Sequence, residues 1–443
     1  MAEALSGGRA SVADGSIAAL AERPSAYAWW VLSVLSVAGA LNYYDRYVIT
    51  IVLQPMKQAL HLTDTQIGLL TGLAFATVYS VLAVPIARIA DRGHRVGVLS
   101  IALAVWSMMT AACGLATSAA AMFAARVGVG VGEAGGIPSS HALIADHFPP
   151  ARRSSALSVV ALSSSFGAIL GLAVGGVVSD HFGWRAAFFV GGAPGLLVAV
   201  VCAATIREPR HRAAQQGAQA PAAALGLGSA IRVLVRRRTY GLVAVGATIA
   251  QLTGYGQGVW TPTFYIRSFG LTPGQVGILY SLLTGVPGLV GTLAGGVLVD
   301  RWMPRDGRAG VWTILFSYAS AIPLGLVAYL THNLALSLAA SALAGFTGGM
   351  GTGPLYALIQ GLAGQRLRAT AVALYMLVIV LLGLSFGPML AGVISDALAH
   401  VAGAESLRWS LIALIAPTLV GLPFFVLAAR TVRGDLSEAE RSS

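Results

Sequence analysis

Gln66-Ile67-Gly68-Leu69-Leu70, an apolar stretch and then Asp91-Arg92 return further along the chain as Gln275-Val276-Gly277-Ile278-Leu279, an apolar stretch and then Asp300-Arg301, at a constant offset of 209 residues. A second pair follows at an offset of 216: Gly167, Gly171 and Gly176-Val177-Val178-Ser179-Asp180 come back as Gly383, Gly387 and Gly392-Val393-Ile394-Ser395-Asp396, and Pro138 as Pro354. The chain is therefore built twice, with about seven residues added between Asp300 and Pro354. A period beyond 200 residues excludes a stack of short repeats, whose units run to roughly 20–50 residues. Two similar halves suit a rocking membrane carrier, whose site lies where the repeats meet.

Composition points the same way. Of 443 residues, 56% are hydrophobic and 10% charged, and the mean hydropathy is +0.76. A soluble domain carries about 25% charged residues. A helical crossing needs about 20 apolar residues, and twelve such stretches are present: roughly 28–54, 66–87, 96–116, 119–145, 155–178 and 184–206, then 240–266, 275–299, 310–330, 334–359, 369–394 and 409–429. The expected fold is an all-α polytopic membrane protein, twelve transmembrane helices in two pseudo-symmetric six-helix bundles. Its parts are a tail over 1–26, a first bundle over 27–206, a linker over 207–239, a second bundle over 240–430 and a tail over 431–443.

The net charge of +11 could suggest nucleic acid, but its placement does not. Of 28 Lys and Arg, two (Arg46, Arg126) fall well inside spans and four (Lys57, Arg185, Arg267, Arg408) near the loops of one side. The rest lie on the opposite side and the termini, which by the positive-inside rule puts both termini in the cytoplasm. The basic run Arg232, Arg236, Arg237, Arg238 is thus a topology signal that also suits anionic headgroups. The arginine-rich, lysine-poor composition suggests a bacterial source and hence an inner-membrane location. Residues 1–26 lack the apolar core of a signal peptide. Cys113 and Cys202 show no metal-binding spacing, no cofactor is expected, and a chain holding both halves reads as a monomer.

Charge inside hydrocarbon costs a few kcal/mol even on lenient scales, so such residues are functional candidates. The first half has Asp45 and Arg46 in span 1 and Arg126 and Glu133 in span 4. The matching positions of Arg126 and Glu133 in the second half are Ala342 and Gly349. Seven residues apart, Arg126 and Glu133 share a helix face but lie about 10 Å apart along it, so each needs a partner elsewhere. Asp45 is the natural counter-ion for Arg126. Glu133 is then the least compensated acid, able to take a proton from one side and lose it on the other. A static ion network that only fixes helix packing is the alternative. Gly128, Gly132 and Gly136 have the spacing of close helix approach, and Pro138 should bend span 4.

An uncharged lining marks the second half: Gln251, Tyr255 and Gln257 in span 7, Tyr356 in span 10 and Tyr375 in span 11. With Tyr43, Tyr44 and Tyr47 beside Asp45, they form the candidate substrate contacts. Trp260 and Tyr265, near a span end, fit a membrane interface as well as a cavity.

An enzyme is disfavoured. His141 and His147 flank Asp146 near Ser139-Ser140, without the geometry of a catalytic site. No phosphate-binding Gly-Lys-Ser/Thr occurs, which argues against ATP-driven pumping.

The loop Ala87-Arg88-Ile89-Ala90-Asp91-Arg92-Gly93-His94-Arg95 resembles the signature of the major facilitator superfamily, with Ala87 where glycine is usual. As a latch, Asp91 would cap a helix of the other half, while Arg92 and Arg95 would meet Asp146; the alternative is a plain turn carrying topology charge. Leu41-Asn42-Tyr43-Tyr44-Asp45-Arg46, Arg126 through Gly132-Glu133-Ala134, Phe148-Pro149-Pro150 with Arg152-Arg153, Phe182-Gly183-Trp184-Arg185 with Phe188-Phe189, and Gly192-Ala193-Pro194-Gly195 resemble the spinster branch of that superfamily. The resemblance implies export or redistribution of lysophospholipids and sphingoid phosphates, with Asp45, Arg46, Arg126 and Glu133 as polar coupling residues. The expected function is a secondary transporter working by alternating access, coupled to protons, with a small-organic-anion or drug carrier as the alternative.

Overall fold

The computed structural model describes residues 24–91, 94–208 and 227–441, and among them every regular element is helical. Span 1 is Ala26–Ile51, span 2 runs over 64–91, span 3 is Arg95–Leu115, span 4 runs over 119–147, span 5 is Pro150–Phe182 and span 6 is Trp184–Thr205. The second half holds span 7, Arg238–Phe269, span 8 over 273–302, span 9, Ala309–Leu330, span 10 over 334–363, span 11 over 365–402 and span 12 over 406–441. Eight of these stretches are long and apolar enough to cross a bilayer by composition alone. One of them, Thr370–Ala439, holds two crossings, and spans 1, 4 and 7 carry the polar residues that make them less apolar.

Several helix starts are written in short polar side chains. Ser25, Thr63, Ser118, Thr272 and Asn333 each accept a bond from a first-turn backbone N–H, filling donors that hydrocarbon would leave unpaired. Breaks follow proline and glycine. Span 1 ends at Ile51, four residues before Pro55, and a second short helix, Leu53–Leu60, follows. Span 4 breaks at Ala134-Gly135, four residues before Pro138, because the ring clashes with the carbonyl one turn back. Spans 10 and 11 meet without a loop: Gly364 turns the chain at φ 68°, ψ 171°, a conformation that a side chain would oppose.

Two expected boundaries move. The linker contains a helix, Leu227–Arg236, and span 7 starts at Arg238. The tail expected from 431 instead continues span 12 to Arg441. It is held there because Asp435 accepts from the Thr239 amide at 2.7 Å and Arg433 pairs with Asp306 at 2.9 Å.

Each half is tightly knit through glycine. A Cβ on Gly167 would lie 2.0 Å from the Ala40 carbonyl oxygen, and one on Gly387 2.5 Å from that of Leu252. Span 5 therefore presses on span 1 as span 11 presses on span 7. Between the halves, span 5 meets span 8 and span 2 meets span 11. Three of these four helices carry a π-helical turn, at Leu69–Leu73, Ser281–Gly285 and Ile379–Leu384. Twelve crossings put both termini on one face. Among the described residues, the hydrogen bonds between halves lie toward the other, far face. The two halves are joined at that far face.

Candidate functional site

Span 1 sorts its polar run by helical geometry. Tyr43, Arg46 and Tyr47 share one arc of the helix, and Tyr44, Asp45 and Val48 the opposite one. The first set is half-buried and the second buried. Tyr44 donates to the Ala187 carbonyl at 3.1 Å, inside its own bundle. It therefore leaves the candidate substrate contacts, because its face of span 1 packs on span 6.

The four charges do cluster, but their pairing is not the expected one. Arg46 donates from Nε to Glu133 Oε2 at 2.7 Å, with the glutamate side chain fully buried and the arginine side chain 20% exposed. Glu133 is thus compensated, and Arg46 links it to the cleft. Asp45 accepts from Thr110 Oγ1 at 2.9 Å and holds no ion pair among the described residues. Its Oδ1 is buried without a hydrogen-bond partner. Arg126 is also buried, its Nε unpartnered, and its guanidinium sits 5.3 Å from the Phe75 ring centre. Asp45 still lies within electrostatic range of Arg126 and Glu133, so the quartet is one unit. The crossed pairing arises because Asp45 and Arg46, adjacent in sequence, project about 100° apart on the helix.

Aromatic rings cage the half-buried cation. The Arg46 guanidinium stands 5.4 Å from Tyr43, 5.0 Å from Phe75 and 5.1 Å from Tyr79, and the last two rings stack on each other. Such contacts contribute about 0.5–2 kcal/mol each, more where water is excluded. Arg46 Nη2 and Glu133 Oε1 are buried with no hydrogen-bond partner. The pair therefore keeps one open donor and one open acceptor. Phe75, Tyr79 and Thr110 carried no distinguishing sequence signal, since an aromatic or a threonine in an apolar helix usually packs.

Across the cleft, the second half holds a cavity of about 380 Å³ lined by Gln251, Tyr255, Gln257, Tyr356 and Tyr375 together with Tyr280, Tyr318 and Tyr329. The last three went unrecognised, although tyrosines in apolar spans were their signal. Tyr255 and Tyr356 lie within electrostatic reach of Tyr43, and Tyr255 of Tyr47 and Arg46 as well. The Tyr375 hydroxyl is buried and unpartnered. Trp260 and Tyr265 are buried core residues rather than interface anchors. Trp260 donates to the Pro388 carbonyl at 2.9 Å, and Tyr265 bonds Ser341 and Ser337.

On the face bearing the termini, Arg95 pairs with Asp146, so part of the expected latch is assembled within the first half. Glu208 accepts from the Arg95 and Val96 amides at 2.7 and 3.0 Å. Asp91 closes the span 2 helix, while Arg92 lies outside the described residues.

Known proteins resemble this chain closely. The Major Facilitator Superfamily family model matches residues 35–388. An MFS-type efflux pump of Mycolicibacterium smegmatis is 33% identical over 94% of this chain and 95% of its own. Protein spinster homolog 1 of Xenopus tropicalis is 27% identical over 93% of this chain and 82% of its own. A crystal structure of a bacterial homolog of the human lysosomal transporter Spinster, inward-facing and unoccupied, superimposes with a TM-score of 0.83 at 29% identity, covering 93% of this chain and 99% of that one.

Proposed function

The chain belongs to the major facilitator superfamily, and on that premise we propose that it couples protons to the movement of an amphipathic, lipid-like anion of the lysophospholipid or sphingoid phosphate type. It is an integral membrane transporter of spinster-like build that works by alternating access, and not an enzyme. The observation that carries the substrate and coupling proposal is Arg46: one guanidinium bonded to a buried glutamate, caged by aromatics, with a buried Nη2 that has no hydrogen-bond partner, and within electrostatic reach of Tyr255 in a neutral tyrosine-lined cavity.

An anionic headgroup entering the cleft competes with Glu133 for Arg46. Once displaced, Glu133 is a buried carboxylate without a counter-charge, and neutralising it with a proton is cheaper than leaving it ionised. Anion and proton therefore bind together. The apolar part of the substrate lies against the tyrosines, whose hydroxyls can meet glycerol or amide groups. On this reading both termini lie in the cytoplasm of a bacterial inner membrane, which makes the face where the halves are joined the external one and the cycle state inward-facing. The protomer acts alone, and the proton is the coupling ion.

Reconstituted vesicles test this reading. Uptake of lysophosphatidylglycerol or sphingosine phosphate should be driven by an imposed pH gradient and collapse with an uncoupler. Uptake indifferent to the uncoupler would remove proton coupling. The similarity to an efflux pump favours a second reading, extrusion of small organic anions or drugs. Transport of soluble anions with no transport of lysolipids would establish that one.

A further inference from the structure

The duplicated motifs hold residues that neither proton nor substrate handling uses: Gly68 and Gly277, Gly176 and Gly392, Asp180 and Asp396. All six meet at the seam between the halves. A Cβ on Gly176 would stand 2.3 Å from the Pro273 carbonyl oxygen, and one on Gly277 2.1 Å from that of Leu172. Their counterparts repeat the arrangement on the other seam: Gly392 against the Asp64 carbonyl at 2.2 Å, Gly68 against that of Pro388 at 2.5 Å. Helices this close bring the two aspartates onto helix starts of the opposite half.

Each target helix begins with a capping box, Thr63 with Gln66 and Thr272 with Gln275, which uses the third amide and leaves the first two free. Asp396, from the second half, accepts those two from span 2: the Asp64 amide at 3.1 Å and the Thr65 amide at 2.7 Å. Asp180, from the first half, faces span 8, where the first position is Pro273 and has no N–H. It takes the Gly274 amide at 2.9 Å, and the Thr272 hydroxyl supplies the second bond at 2.6 Å. The same two-donor cap is thus completed by different atoms.

We propose that Asp180 and Asp396 are paired positioning residues of the transport cycle, two crossed catches that hold the far face shut and set the balance between the two access states. Each catch joins a carboxylate of one half to the positive helix end of the other, so opening the far face breaks both. They differ in backing. Asp64 accepts two bonds from Arg267 at 2.8 and 2.7 Å and one from Ser395 at 2.7 Å, both across the seam, and one from Lys57 of its own half at 2.5 Å. Pro273 at the matching place makes none of these. The span 5–span 8 catch therefore rests mainly on Asp180, beside one long bond from Ser281 to the Ile169 carbonyl at 3.4 Å, while the span 2–span 11 catch shares its hold with Arg267.

Spin labels on Phe182→Cys and Val401→Cys, both exposed far-face positions in different halves, report the opening as a longer distance. Losing one charge-assisted cap should move the closed-to-open ratio about tenfold. Asp180→Ala is expected to shift it more than Asp396→Ala, and the double variant most. Asp306→Ala, which removes an acid paired with Arg433 on the other face, should shift nothing. Where an alanine variant does not fold, Asp180→Asn keeps the shape, removes the charge and should move the ratio in the same direction. An unchanged distance distribution in a folded double or Asn variant overturns the proposal. So does an equal shift with Asp306→Ala.

Discussion

Replacing Glu133 with glutamine should tighten anion binding at Arg46, because it removes the charged competitor for that guanidinium. In the wild-type structure, an anion reaching Arg46 must displace the 2.7 Å bond to Glu133. Bonds to charged partners contribute about 1.5–3 kcal/mol net, and the buried side of this one lies at the upper end. A glutamine Oε still accepts from Arg46, but without charge, so the competition falls by about half to two-thirds of that figure. The expected gain of about 1–2 kcal/mol is roughly 5–30-fold in affinity for an anionic headgroup. Calorimetric titration of lysophosphatidylglycerol into purified wild-type and Glu133→Gln protein reads this directly. A variant that binds no more tightly than wild type refutes the reasoning.

Other perturbations reach different parts of the site. Asp45→Asn keeps the Thr110 bond but removes a charge from the quartet; gradient-driven uptake in vesicles should fall at least tenfold while binding at fixed pH stays within about twofold. Tyr375→Phe removes a buried hydroxyl that has no hydrogen-bond partner within the protein, so thermal stability should hold or rise, and titration should show about 5–10-fold weaker binding of a substrate that supplies that partner. Arg408 is buried and donates to the Tyr329 and Thr331 carbonyls while pairing with the partly exposed Glu405; Arg408→Met leaves those carbonyls without their donor and should cost about 1–3 kcal/mol, seen as a drop in Tm with no selective loss of coupling.

The sequence carried the architecture because twelve apolar stretches and the 209- and 216-residue offsets are long signals that no local packing detail disturbs. Membership of the quartet was equally legible, since four charges inside apolar runs stand out. Their pairing was not. Whether Asp45 or Arg46 meets Glu133 depends on how span 1 is rotated against spans 3, 4 and 6, and nothing along a single helix states that rotation. Tyr44 was misplaced for the same reason, being one position from the cleft-facing Tyr43. Phe75 escaped notice because a caged guanidinium is recognised from the cation, not the ring. Pro138 correctly marked the bend, yet the break lies one turn earlier, next to Glu133, so the proline's effect falls on the charged site itself.

The wide turns in spans 2, 8 and 11 bear on how such a molecule moves within oil. A π turn carries one residue more than the α-helical turn it interrupts and loosens the ladder at that point. Three seam helices thus own a little slack, whereas span 5 has none. Rolling one bundle over the other would then be absorbed at those turns in the compliant rods, with the rigid one serving as the axle.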